Sequence, residues 1–227
     1  MIDFGVILLT LALAAVTVVI LLAVGTPWAW WLARTRSPLK PAVEAVVALP
    51  LVLPPTVLGF YLLVIFAPDA PLGAAWVRVT GTTLAFSFAG LVVASVVYSL
   101  PFVVQPLQTA FAAIGRAPVE AAEVLGARPL DAFLTVVSPL AARGYLTAAV
   151  LGFAHTLGEF GVVLMVGGNI PGRTRVISID VFERVETLDW QGAHLLSAGL
   201  LVFSFVVLLV VYAVNRRFPV HVGPGAP

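Results

Sequence analysis

The sequence has 227 residues, 61% of them hydrophobic and 10% charged, with 12 basic against 11 acidic side chains and a mean hydropathy of +1.09. Soluble domains carry roughly 25% charged residues, so this composition excludes an ordinary water-soluble fold. Cysteine is absent, which removes disulfides, thiolate metal sites and a cysteine nucleophile.

In chain order, uncharged windows run over 4–33, 45–68, 79–115 and 190–215, each longer than the ~20 apolar residues that cross a bilayer core. The first follows Asp3 rather than a basic n-region and far exceeds the roughly 7–15 apolar residues of a secretory signal, so it predicts a retained helix over 5–32. Its end, Gly25-Thr26-Pro27-Trp28-Ala29-Trp30-Trp31, sets three tryptophans before a basic loop, as in an interfacial aromatic belt. A second helix is expected over 44–67. There Pro50, Pro54 and Pro55 remove backbone donors and kink the chain, leaving carbonyls for neighbours or a wet cavity. Kinking is the plain reading, and a pathway role for Pro54 and Pro55 is the functional one.

A third helix is expected over 82–110. The hydrophobic region 132–172 is interrupted by Arg143, Glu159 and glycines at 144, 152, 158, 161, 167 and 168, giving one crossing over 143–167 with room for a re-entrant piece. The last helix falls over 191–214, and the tail 223–227 reads as frayed. The expectation is an all-α polytopic helix bundle of five transmembrane helices, one membrane domain over 1–227.

Arg34, Arg36, Lys40, Arg116, Arg128, Arg216 and Arg217 fall on one side of this topology and Arg78, Arg173, Arg175 and Arg184 on the other, seven against four. The positive-inside bias then puts the N-terminus outside and the C-terminus in the cytoplasm, with an odd number of crossings. Glu159, between Gly158 and Gly161, is the acidic residue inside an apolar run, which points to a helix break, an interhelical hydrogen bond or a gate. A carboxylate repels a dianion, so direct anion binding is not expected of it. His155 reads as a neutral histidine bonded to a neighbouring helix. His155, His194 and His221 lack ligand-like spacing, and no metal is expected. Arg143 lies 16 residues from Glu159, about 24 Å along a helix, and reads as snorkelling to the interface.

The polar segment after the third helix is informative. Ala117-Pro118 can open a helix, Glu120 and Glu123 complement its N-terminal dipole, and Gly126 with Arg128-Pro129 ends it. A second short helix fits 130–137, with Leu130, Phe133, Leu134 and Val137 on one face before Pro139. A docking element and an ordinary interfacial element both fit these residues.

Glu120-Ala121-Ala122, three residues, Gly126, nine residues, Val136, one residue, and Ser138-Pro139 resemble the cytoplasmic loop of membrane subunits of ATP-binding-cassette importers. Serine stands at 138 where that pattern has leucine, which weakens one packing contact and keeps the register. The stretch from Gly25 to Arg36, the run Leu49-Pro50-Leu51-Val52-Leu53-Pro54-Pro55-Thr56-Val57-Leu58-Gly59-Phe60-Tyr61 and the segment from Leu157 to Thr174 are similar to the molybdate importer permease family, with sulfate permeases as close relatives. The resemblance implies a type I importer permease fold and a homodimer that transports by alternating access. It also implies two cytoplasmic ATPases, and a periplasmic or surface binding protein that delivers molybdate or tungstate.

On that resemblance Glu120, Ala121, Ala122, Gly126, Val136 and Pro139 form the ATPase-coupling loop over 117–138. No cofactor is expected on this chain, ATP and Mg belonging to the partner subunit, and neither catalysis nor a nucleic-acid partner is expected. Pro54, Pro55, Gly158, Glu159 and Gly161 are the gate or pathway candidates, and Arg173 and Arg175 the candidate contacts for the binding protein. With a short tail after Arg217, inhibition through the C-terminal regulatory domain of some family variants is not expected. A stand-alone secondary transporter more often carries inverted repeats, which are not visible here. An intramembrane enzyme needs converging catalytic groups, and no such cluster is present.

Overall fold

A computed structural model describes residues 3–217, so the tail at 223–227 and His221 lie outside the described residues. Twelve α-helices follow one another: α1 (Phe4–Arg34), α2 (Lys40–Val52), α3 (Pro55–Phe66), α4 (Pro71–Thr80), α5 (Phe88–Ile114), α6 (Ala117–Val124), α7 (Pro129–Ala132), α8 (Ser138–Leu140), α9 (Ala142–Gly158), α10 (Gly161–Gly167), α11 (Ile177–Glu186) and α12 (Trp190–Arg217), with a π-helical turn over Phe133–Val137 between α7 and α8.

Three of these helices, α1, α5 and the Trp190–Val210 part of α12, are long and apolar enough to cross a membrane. Five crossings result only if two bent pairs each count as one: α2 with α3, turned by 111°, and Pro129–Leu140 with α9, turned by 72°. The expected kinked helix over 44–67 is therefore two helices. Pro54 and Pro55 supply no amide donors, so the helical ladder stops at Leu53, whose N–H closes on Leu49. The third helix begins at Phe88 rather than at 82, because the Ser87 hydroxyl caps it by accepting the Gly90 amide at 3.1 Å. The fourth expected span, 143–167, is α9 and α10 separated by Glu159 and Phe160.

Side-chain size sets how the helices meet. α1 and α5 run parallel, with Leu13 and Leu91 in one cluster, Gly25 against Val103 and Val104, and Trp30 edge-on to Phe111 at 5.4 Å. α9 runs antiparallel to α5, Gly144 lying against Ala110, and Gly152 so close that a Cβ there would stand 2.8 Å from Val103. Small residues bring membrane helices together in this way because lipid offers no hydrophobic drive for association.

Trp28 and Trp31 are exposed, as an interfacial belt requires. Trp30 turns inward against Phe133, with the Arg34 guanidinium 4.3 Å above its ring. At the opposite end the Ile177 amide donates to the buried Thr10 hydroxyl at 2.9 Å, pinning the start of α11 to α1. α12 packs on α11 and α9, and only 11% of its spanning window is buried.

Candidate functional site

At the end of the molecule where α1 finishes, α6 terminates in a Schellman motif. The Ala127 amide donates to the Ala122 carbonyl at 3.0 Å and the Gly126 amide to Glu123 at 2.9 Å. Gly126 has φ +90°, the left-handed conformation that glycine adopts without strain. The C3 residue and the C′ glycine stand four positions apart in this motif, and Ala122 and Gly126 hold those places. The spacing noted in the sequence is thus a helix-stop geometry.

Ala122 is buried, and Ala127, Phe133, Val136 and Val137 pack with it against Trp30 and Phe111. Glu120, Ala121, Glu123 and Pro139 face outward, and Val124 and Leu125 are 87% and 88% exposed. An apolar tip rimmed by carboxylates therefore projects from a charged end. The expected second helix, 130–137, is instead a helical run over 129–140 carrying the π-turn, in which the Ser138 amide reaches back to Phe133. The wider turn comes just before Pro139, which has no amide to donate.

The gate candidates separate into two groups. Gly161 abuts Pro55, a Cβ at 161 falling 2.7 Å from the proline Cβ, so the break between α2 and α3 touches the break between α9 and α10. Pro54 is exposed, and Gly158 is exposed with nothing within 4 Å of an added Cβ. Glu159 is 4% exposed. Its backbone carbonyl accepts the Ser178 hydroxyl from α11, while both carboxylate oxygens lack a hydrogen-bond partner among the described residues. Ser95 on α5 stands beside it without reaching hydrogen-bond geometry, and the Thr17 hydroxyl on α1 is equally unpartnered.

One turn along, the Ser99 hydroxyl meets His155 Nδ1 at 2.8 Å and the Thr156 hydroxyl at 3.1 Å. The expected histidine bonded to a neighbouring helix is what these distances describe. Its ring also stacks on Phe102, centroids 3.8 Å apart, and lies 4.8 Å from Tyr98.

On the far surface Arg175 pairs with Glu183 at 3.0 Å and donates to Asn169 at 2.6 Å, so its charge is matched within the chain. Arg173 is exposed. Asp189 receives the Gly192 amide at 3.0 Å and Arg184 at 2.7 Å. The Gly192 amide is the main reason its carboxyl is held below the usual range. Among the described residues no cluster of three His, Cys, Asp or Glu side chains is arranged to hold a metal.

The hydroxyl ties from Thr10 and Ser178 had no motif to announce them. The signal available for α1 was the Thr10/Thr17 pair, seven residues apart on one face of an otherwise apolar helix. Both side chains are buried.

The chain is 62% identical over 216 residues to the molybdenum transport system permease protein ModB of Azotobacter vinelandii, covering 95% of each. It is 36% identical to the sulfate transport system permease protein CysT of Synechocystis over 82% of this chain and 65% of that protein. The MetNI methionine ABC transporter, in inward-facing conformations, has a chain of the same fold, with TM-score 0.69 and 19% identity over 93% of this chain and 94% of that one. Residues 25–219 match the model of the binding-protein-dependent transport system inner membrane component family. This chain, with its apolar helices, is a member of that family of membrane permeases.

Proposed function

We propose that this chain is the permease of an ATP-driven importer of molybdate, with tungstate as its chemical near-equivalent. The carrying observation is likeness along essentially the whole length of the molybdenum permease of Azotobacter vinelandii. The sulfate permeases are more distant and longer, so a sulfate or thiosulfate importer is the second reading. The permease itself has no catalytic role, and ATP and Mg belong to the partner ATPase.

Two copies form the pathway. The sparse burial of α12 and the small number of long helices in one copy support a symmetric homodimer, the usual closure for identical chains. A cytoplasmic ATPase docks on the apolar tip at Val124 and Leu125, a patch that would otherwise be an uncovered liability. Glu120, Ala121, Ala122, Gly126, Val136 and Pro139 belong to that coupling element. The same end carries Arg34, Arg36, Lys40, Arg116 and Arg128, which supports a cytoplasmic placement, with the N-terminus outside. A binding protein delivers the anion to the opposite face, where Arg173 has its charge open to a partner. The touching breaks at Pro54/Pro55 and Gly158–Gly161 are the place where the bundle reorients as access alternates.

The test is reconstitution of the chain with its ATPase and binding protein in vesicles, followed by ATP-dependent uptake of molybdate, tungstate and sulfate. Preference for sulfate would select the second reading. Uptake without any ATPase would remove both.

A further inference from the structure

The hydrogen bonds around Ser99 assign a tautomer once the Thr156 hydroxyl proton is directed to the Gly152 carbonyl. Thr156 donates its single hydroxyl proton to the Gly152 carbonyl at 2.9 Å, so in the Ser99–Thr156 contact Ser99 is the donor. Ser99 then has no proton left for His155, and Nδ1–H of the imidazole donates to it at 2.8 Å. The neutral ring consequently presents a bare Nε2, which has no hydrogen-bond partner among the described residues. The Tyr98 hydroxyl also lacks one.

Position makes these two polar atoms informative. Tyr98, Ser99 and Phe102 flank the midpoint of α5, and so lie at mid-membrane depth. His155 and Tyr98 are half-buried there. Leu151, His155 and Gly158 share one face of α9, and Leu151 and Gly158 are exposed. Polar groups at this depth avoid hydrocarbon and turn toward a bundle interior or a wet path. A bare imidazole nitrogen repels an anion, but a protonated Nε2–H donates to one; burial disfavours the isolated cation, so the charge of the anion and the stacked Phe102 face have to offset that cost.

We propose that Tyr98 and His155 form an anion subsite in the translocation path, where a tetrahedral oxydianion accepts the Tyr98 O–H and the Nε2–H of a protonated His155. This rests on the importer reading above. The proton comes from water in the path and returns to it when the anion leaves, so no net charge accumulates on the protein. The Ser99–Thr156–Gly152 relay orients the ring, and Ser99 is a positioning residue. Other titratable groups on α9 and the elements packed against it include Tyr145 and Glu159 at its two ends, Asp180, Glu183 and Glu186 on α11 with Arg184 ion-paired to Asp180, and His194 at the start of α12. Asp3 and Arg34 sit at the two ends of α1, and Arg143 is 12 residues before His155. Glu159 is the near competitor for the proton.

Three variants separate this role from a structural one. An asparagine at 155 keeps a donor at the Nδ1 position for Ser99 but removes Nε2, whereas a glutamine puts an uncharged donor near the Nε2 position. Molybdate uptake by the reconstituted complex at saturating binding protein is measured from pH 6 to 8, roughly the range in which imidazole changes charge. Wild-type uptake should rise as pH falls. His155→Asn should lose about tenfold or more, the scale of one hydrogen bond to a charged group. His155→Gln should retain more uptake than His155→Asn, with a flat pH profile. Tyr98→Phe should lose several-fold and keep the pH slope.

Uptake in His155→Asn equal to wild type with His155→Gln impaired is the order for a structural histidine, and overturns the proposal. So does a pH slope that persists in His155→Gln. If the wild-type complex takes up no oxyanion, the importer reading fails, and the subsite with it. Normal wild-type uptake with indifferent variants removes the subsite alone.

Discussion

Replacing Gly126 tests whether the coupling turn depends on conformation or on bare surface. A Cβ at this position meets nothing within 4 Å, so a side chain causes no clash inside the chain, and the whole penalty is backbone strain at φ +90°. For an ordinary L-residue the left-handed region costs about 1–2 kcal/mol, with a β-branched residue at the upper end. Asparagine tolerates it far better. Since 1.4 kcal/mol is a factor of ten, Gly126→Val should lower the equilibrium constant for the closed turn by about thirty-fold, Gly126→Ala by nearer about five-fold, and Gly126→Asn least of all. The assay is molybdate taken up per ATP hydrolysed by the reconstituted complex, with the three variants compared at equal incorporation. The expected order of coupling is Gly, Asn, Ala, Val. Coupling in Gly126→Val equal to wild type would refute the conformational argument. An asparagine as damaging as valine would refute it differently, by showing that the ATPase needs empty space at 126.

Other expectations follow from the same coordinates. Gly161→Ala should lower the thermal stability of the detergent-solubilised protein by about 1–3 kcal/mol, an overpacking cost, because its Cβ would meet Pro55 at 2.7 Å, whereas Gly158→Ala should be nearly silent. Thr10→Val leaves the Ile177 amide without its acceptor and should cost about 1–3 kcal/mol, seen as faster hydrogen exchange at the start of α11. Arg175→Ala should alter stability by less than about 1 kcal/mol, since the Glu183 pair is partly exposed, while Arg173→Glu should weaken binding-protein-stimulated uptake and leave melting unchanged. Asp189 has a depressed folded pKa, so the stability it contributes is present above the ordinary carboxylate pKa of about 3.9 and is lost as pH falls through the folded value. Exchange at the first turn of α12 should therefore accelerate in strong acid in the wild type, and Asp189→Asn should show no such step.

Composition and window length made the helical class legible, because uncharged windows of more than about 20 residues fit membrane helices and are about twice the length of a barrel strand. The helix–glycine–helix pattern at 117–137 was legible for a local reason: a Schellman stop needs only its own residues. What the sequence hid was tertiary. The prolines at 54 and 55 announce a break, but the 111° turn depends on Gly161 admitting Pro55 against it. Uncharged windows locate apolar residues without saying where a helix begins, so the third span was placed six residues early, across the segment that Ser87 caps. The pairing of Arg175 with Glu183 is not legible either, because the two are eight residues apart, a spacing no helical or strand rule pairs.

α9 gives the two sites a mechanical relation. It starts directly after the segment that follows the Gly126 turn and ends at Glu159, and its 17 residues span about 25 Å. Close glycine contacts hold it to α5 along this length, so bending is resisted and an end-to-end shift or rotation is the softer motion. At the coupling end its neighbours are packed aromatic rings, with Tyr145 edge-on to Phe111 at 5.9 Å. At the other end it meets a break, an unpartnered carboxyl and one hydroxyl tie to α11. Resistance is therefore unequal along the helix. Displacement imposed at the coupling segment would be taken up at Glu159 and Phe160, where the helix is interrupted between α9 and α10. A pair of glycine substitutions near Ala148 tests this, since it softens α9 and keeps the register of both ends. ATP hydrolysis should continue while uptake per ATP falls, and unchanged coupling would mean that force reaches the break by another helix.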